Sequence, residues 1–184
     1  MIKKNKGIRV AYLVMGLGLL SSLGLATLDG EGHGVPRLTE VGSGIYRGAQ
    51  PTEEGYRHLK SLGVKTIVNF RHEKKWIDFG RDQAKQNGMQ YVSLPWLIFK
   101  PLQSETVDQF FTRISNSENR PLFYHCKRGV ERTGAFTFLY LIRQEKLTAE
   151  EARRKAFEGY PQLLVWKPFV KARLRQIKEN FVPH

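Results

Sequence analysis

A short apolar stretch, Pro121-Leu122-Phe123-Tyr124-His125, runs directly into Cys126-Lys127-Arg128-Gly129-Val130-Glu131-Arg132-Thr133-Gly134, and the chain from Thr133 to Gln144 is largely apolar. The first stretch has the length and aromatic content of a buried strand, and the last has the length of a helix. A strand that reaches a helix through so short a loop must let the helix pack back on its own sheet. That requirement confines the chain to α/β architectures. The connecting loop wraps the helix N-terminus, where successive backbone N–H groups turn inward and the helix dipole adds to them, so the loop is an expected anion cradle. Gly129 suits the turn that such a loop needs.

The remainder of the chain agrees with this reading. Gly44 to Arg47 reads as a short strand before a turn at Gln50-Pro51, and Thr52 as the N-cap of a helix reaching about Ser61, with Glu53 and Glu54 at its positive end. Lys65–Phe70 and Met89–Leu94 read as strands, with a helix between them over about Lys74–Asn87 that stops at Gly88. Pro95 through Pro101 reads as a loop holding Trp96 and Phe99. Ser104 is the expected cap of a helix that buries Val107, Phe110, Phe111 and Ile114. Thr148-Ala149-Glu150-Glu151 opens another helix with a capping box, and a last helix should cover about Lys167–Asn180. The alternation predicts an α/β domain with a central, mostly parallel sheet of four to five strands flanked by helices.

Cys126 is the only cysteine, so the fold must rest on its core and not on an internal disulfide. Inside the cradle its pKa should fall, which favours a nucleophilic thiolate. Arg132 can chelate two phosphate oxygens, and the Thr133 hydroxyl is placed to hydrogen-bond the thiolate as it leaves. His125 could fix the loop through its ring nitrogens.

The stretch 125–133 resembles the H-C-x5-R-[ST] loop of the cysteine-based protein tyrosine phosphatase superfamily. Cys126-Lys127-Arg128-Gly129 and Arg132-Thr133-Gly134 are most similar to its atypical dual-specificity branch, several members of which act on inositol phosphates, exported bacterial inositol polyphosphatases among them. Ile45-Tyr46-Arg47-Gly48-Ala49-Gln50-Pro51 and Val68-Asn69-Phe70-Arg71 resemble the opening turn and first core strand of that branch. The likeness extends over about residues 38–160. It implies a tyrosine-phosphatase-like fold, no metal or other cofactor, and a cysteinyl-phosphate intermediate. Cys126, Arg132 and Thr133 would take the catalytic roles, and residues 127–131 would supply the N–H cradle, with Lys127, Arg128, Gly129, Val130 and His125 serving substrate binding.

The pattern departs from the superfamily in one respect. Such enzymes present an Asp from a separate loop to protonate the leaving oxygen, and the 94–101 loop holds no carboxylate. Glu131 is the first substitute, its alternative role being that of partner to Arg128 or Arg132. Asp78 is the second. Lys127 and Arg128 place two extra cations at the loop, which suits a ring bearing many phosphates better than one phosphotyrosine. Arg47, Lys74, Lys75 and Lys100 are weaker candidates for the rim, with solvated charge the plainer reading. Trp96 and Phe99 are read as packing, with a pocket wall as the alternative. His33, His58, His72 and His184 show no metal-ligand spacing.

Thirty Lys and Arg against seventeen Asp and Glu give a net charge of +13. A surface of that kind attracts polyanions in general. Lys3, Lys4, Lys6 and Arg9 precede an apolar run from Val10 to Leu28, so residues 1–26 are expected to be a cleaved export signal or, left uncut, a membrane anchor over residues 10–28. Residues 27–37 read as a linker and 38–184 as the phosphatase domain. Without residues 1–26, which hold four basic and no acidic residues, the body keeps +9. The expected product is an exported, periplasmic or secreted, metal-independent phosphatase for inositol polyphosphates. A tyrosine or dual-specificity protein phosphatase is the alternative within enzymes, ahead of a sulfurtransferase. A pseudophosphatase that binds anions without turnover is the alternative outside them. No motif supports nucleic-acid binding, and contact with a membrane is expected only through the N-terminal segment.

Overall fold

The computed structural model describes residues 33–159 and 168–182. Residues 1–26, read as signal or anchor, lie outside the described residues, as do the first part of the expected linker and His184.

Five strands form one sheet: β1 (Thr39–Gly42), β2 (Ile45–Gly48), β3 (Thr66–Asn69), β4 (Gln90–Ser93) and β5 (Leu122–His125), in the order β1-β2-β5-β3-β4. Only β1 and β2 pair antiparallel. The β2–β5, β5–β3 and β3–β4 pairings are parallel. The mostly parallel α/β sheet is the one the alternation of elements implies. β1 is not legible in the sequence, because its four residues include Glu40 and Gly42 and its register slips between them. Hairpin geometry makes it a strand: the Glu40 carboxylate accepts from the backbone N–H of Gly44 at 3.0 Å in the connecting turn.

Six helices accompany the sheet among the described residues: α1 (Glu53–Ser61), α2 (Lys74–Gln86), α3 (Ser104–Ser115), α4 (Glu131–Arg143), α5 (Ala149–Ala156) and α6 (Pro168–Phe181). Thr52 caps α1 through its side chain, and Thr148 with Glu151 forms the expected capping box on α5. Two expectations need correction. Ser104 is the first residue of α3 and not its cap, because the chain is still extended at Gln103 and turns helical only after it. Residues 33–37 are no free linker. Val35 is buried in the core, and the Gly34 carbonyl accepts from the backbone N–H of Thr52 at 2.9 Å.

Strand alternation divides the interior in two. Leu122 and Tyr124 of β5 face a large core with Val68, Phe70, Phe110, Phe136 and Leu139, while Phe123 faces a smaller one with Tyr56, Leu59 and Ile67. Phe136 is the centre of the larger core: it stacks on Phe70 at 4.1 Å between ring centroids and meets Phe110 at 4.8 Å and Trp96 at 6.0 Å. Phe136→Ala should therefore cost about 3–5 kcal/mol of folding free energy. Urea unfolding would show it as a lower midpoint with an unchanged slope.

The registers decide where the site lies. Gly48, Asn69 and His125 stand side by side at the carboxyl ends of three adjacent parallel strands. Loops leaving that edge meet, and in open α/β sheets this is where ligands bind.

Candidate active site

β5 delivers Cys126 to this edge, and α4 begins at Glu131, two residues earlier than the sequence suggested, so Arg132 and Thr133 belong to its first turn. Residues 126–130 are thus wrapped around a helix N-terminus. Gly129 has a φ of 71°, and a Cβ on it would meet the backbone of Gly48 and Ala49 at 2.6–2.7 Å, so only glycine fits.

Cys126 lies at the base of the loop, 1% exposed. Burial pushes its thiol up. The Thr133 hydroxyl, the Arg132 guanidinium and the backbone N–H groups of Thr133 and Arg128 outweigh burial, and together they bring the thiol below its ordinary range. The Thr133 hydroxyl is buried without a hydrogen-bond partner, and it is among the groups that hold the Cys126 thiol down. His125 is fully buried, stacks on Phe123, and directs Nδ1 to the Cys126 carbonyl at 3.4 Å. Burial, with Arg71 and Arg132 beside it, pulls its pKa down to about 3, so the ring stays neutral. It supports the loop from beneath and does not reach the pocket.

The pocket above the loop has a volume of about 140 Å³ and is lined by Lys127, Arg128, Glu131 and Arg132 from the loop and α4, by His72, and by the 96–99 segment. Typical small-molecule sites occupy about 300–1,000 Å³, so this pocket is a small one. Arg132 is held ready by carbonyls: its Nη1 donates to Phe70 O at 3.0 Å and to Trp96 O at 3.5 Å, with His72 Nδ1 also at 3.5 Å. Lys127 and Arg128 are exposed at the mouth, whereas Val130 turns its side chain inward.

Glu131 accepts an ion-pair hydrogen bond from Arg128 within one turn, the partner role that its position had also allowed. Asp78 does not line the pocket. It sits on α2 between Lys74 at 2.5 Å and Arg81 at 3.0 Å, and these hydrogen bonds hold its carboxyl below the usual range. Of the four suggested rim cations, none lines the pocket. Lys74 is paired with Asp78, Lys75 lies over the Trp76 ring, Lys100 is exposed, and Arg47 is buried behind the loop. Trp96 is core packing and pocket wall at once, its indole N–H donating to Lys100 O at 3.0 Å, while Phe99 is 69% exposed on the rim.

One pocket residue, His72, and one residue buried near His125, Arg71, are not singled out by the sequence. His72 was weighed only as a metal ligand, although its place just past β3 puts it on the strand edge where the loops converge. Arg71 is buried, paired with both oxygens of Glu73, donating to Gln50 Oε1 at 3.4 Å and lying over the Trp76 ring. Its hydrogen bonds lower the Glu73 pKa to about 2.

The family described as DSP-PTPase phosphatase fused to NAD+ kinase matches residues 34–163. The chain is 32% identical over 121 residues to the chloroplastic NAD kinase 2 of Arabidopsis thaliana, a match covering 60% of this chain and 12% of that protein. It is 30% identical over 101 residues to the inositol diphosphatase DSP4 of the same plant, covering 51% of this chain and 49% of the relative. To the dual specificity protein phosphatase TpbA of Pseudomonas aeruginosa it is 29% identical over 100 residues, covering 53% and 43% of the two chains. The crystal structure of TpbA superposes with a TM-score of 0.63 at 24% identity, over 75% of this chain and 83% of that one. The chain thus spans less than half the length of these curated relatives. A family match over most of the described residues, on a tyrosine-phosphatase-like fold shared with TpbA, means that the chain belongs to the DSP-PTPase phosphatase family and carries a dual-specificity-phosphatase-like domain.

Proposed function

We propose that this phosphatase works through a cysteinyl-phosphate intermediate and takes densely phosphorylated inositols as substrates. The supporting observation is the pocket itself: Lys127, Arg128 and Arg132 surround a volume fit for one phosphate, and its only carboxylate among the described residues, Glu131, is engaged by Arg128. The Cys126 thiolate attacks phosphorus and the bond to the leaving oxygen breaks. The loop N–H groups and Arg132 carry the charge on the transferring group. Water then attacks the same phosphorus, the S–P bond breaks, and the returning thiolate is received by the Thr133 hydroxyl, with inorganic phosphate released. No metal takes part in either step.

The pocket offers no carboxyl group poised to protonate a poor leaving group. A leaving group that is itself a phosphate needs no such proton, so the bond best matched to the site is the anhydride of a diphosphoinositol. The name of the relative DSP4, inositol diphosphatase, agrees. Esters of inositol hexakisphosphate should turn over more slowly. Phe99, an exposed ring at the mouth, favours a second reading, in which it stacks on a phosphotyrosine. Phosphate release by the full chain in chelator, compared among a diphosphoinositol, inositol hexakisphosphate and phosphotyrosine peptides, separates these cases. Release fastest from the diphosphoinositol supports the proposal, and activity confined to peptides overturns it.

Because the Cys126 thiol lies below the ordinary range, its thiolate is present above that lowered pKa and lost as pH falls through it, so the rate should decline on the acid side. Glu131→Gln tests the alkaline side. With Glu131 serving Arg128, the alkaline part of the ester profile should be unchanged in the variant. Loss of an alkaline decline seen in the unmodified protein would restore Glu131 as the acid.

A further inference from the structure

A cradle of N–H groups works only if the carbonyls of the same loop point outward, since each inward carbonyl would set an oxygen against the phosphate. Behind this loop, three consecutive carbonyls are each taken up by one segment of chain. Lys127 O accepts from the backbone N–H of Gln50 at 3.4 Å, Arg128 O from the Arg37 guanidinium at 3.1 Å, and Gly129 O from Arg47 Nη2 at 2.9 Å. We infer that residues 37–50 form an orienting brace that turns the carbonyls of 127–129 outward and so fixes the phosphate-facing N–H groups, with Arg47 as its principal positioning residue.

Arg47 is built for this. It is 8% exposed, a rare situation for a guanidinium, and its second nitrogen donates to Ala156 O at 2.8 Å, at the C-terminal end of α5 where a cation is favoured. One side chain thereby joins β2, the loop and α5. Arg37 adds a second sign. Its φ of 59° lies in the left-handed region that a side chain resists, and the strain delivers its guanidinium to Arg128 O. The segment lies close against the loop, since Gly129 has no room for a Cβ against Gly48 and Ala49.

The inference rests on the proposed role of the loop as a phosphate cradle, and the test separates the two. Cys126 is the only thiol, so its alkylation by iodoacetamide in the full chain reports on the loop alone. Two quantities are read: the pH dependence of alkylation, and the concentration of inorganic phosphate that protects. In Arg47→Met, protection should weaken roughly tenfold and the thiolate titration should move to higher pH. In Arg37→Ala, which removes an exposed donor and leaves the core intact, protection should weaken roughly two- to threefold. A lower melting temperature with unchanged protection and titration would mark Arg47 as structural only and overturn the inference. Should Arg47→Met fail to fold, Arg37→Ala decides: protection and titration equal to the unmodified protein overturn the brace. If phosphate does not protect the unmodified protein, the cradle itself fails and the brace with it.

Discussion

Replacing Cys126 with serine is expected to lower kcat/KM by about 10⁴-fold or more while phosphate still binds. The loop lowers the pKa of a thiol whose ordinary value, about 8.5, is already within reach of neutrality. The same hydrogen bonds from Thr133 and the N–H groups of Thr133 and Arg128 cannot bring an alcohol into that range. Binding should survive because the cradle, Arg132 and the mouth cations are untouched. A rate loss of this size corresponds to roughly 5.5 kcal/mol of transition-state stabilisation. Steady-state kinetics on the diphosphoinositol, with phosphate binding measured on the same preparation, checks both halves. A serine variant retaining more than about a hundredth of the activity would place the nucleophile elsewhere.

The second large effect concerns Arg132. Its charge lowers the Cys126 pKa, and in the proposed mechanism its planar fork takes two equatorial oxygens, so the two contributions can be separated. Arg132→Lys keeps the charge and loses the fork. It should cost about 10²–10³-fold in kcat, with the acid limb of the pH profile little moved. Arg132→Met loses both, so the rate falls further and the acid limb shifts to higher pH. Carbonyls of Phe70 and Trp96 already hold Arg132 at the pocket, and an ammonium cannot answer both along with a bidentate phosphate. A lysine variant within tenfold of the unmodified protein would show that charge alone suffices.

These two variants touch the part of the site that was legible from the amino-acid order. Cys126, Arg132 and Thr133 lie within eight residues of one another on a strand–loop–helix unit. Their mutual placement is therefore fixed by one turn of backbone, whatever surrounds it. The caps at Thr52 and Thr148 were legible for the same reason, since a cap and the N–H groups it serves are at most three residues apart. Glu131 shows the limit of such reasoning. Its spacing to Arg128 allowed either an acid in the cradle or an ion-pair partner, and only side-chain geometry puts its carboxylate on the guanidinium.

The brace was not legible at all. From the sequence Arg47 reads as a solvated charge, with the rim as the weaker alternative, because a lone arginine on a basic chain is usually exposed. Its contacts with Gly129 and Ala156 span 82 and 109 positions, and that of Arg37 with Arg128 spans 91. They exist because β2 lies beside β5 in the sheet, an order of strands that no local pattern encodes. The approach of His72 to Arg132 likewise depends on β3 flanking β5 on the other side. The sequence by itself determined the α/β class and the strand–loop–helix unit that carries Cys126 and Arg132, because these follow from contacts over a few positions. Tertiary structure alone decided which distant groups hold the loop in shape and which charges face the pocket, because those contacts form only after the strands have found their neighbours.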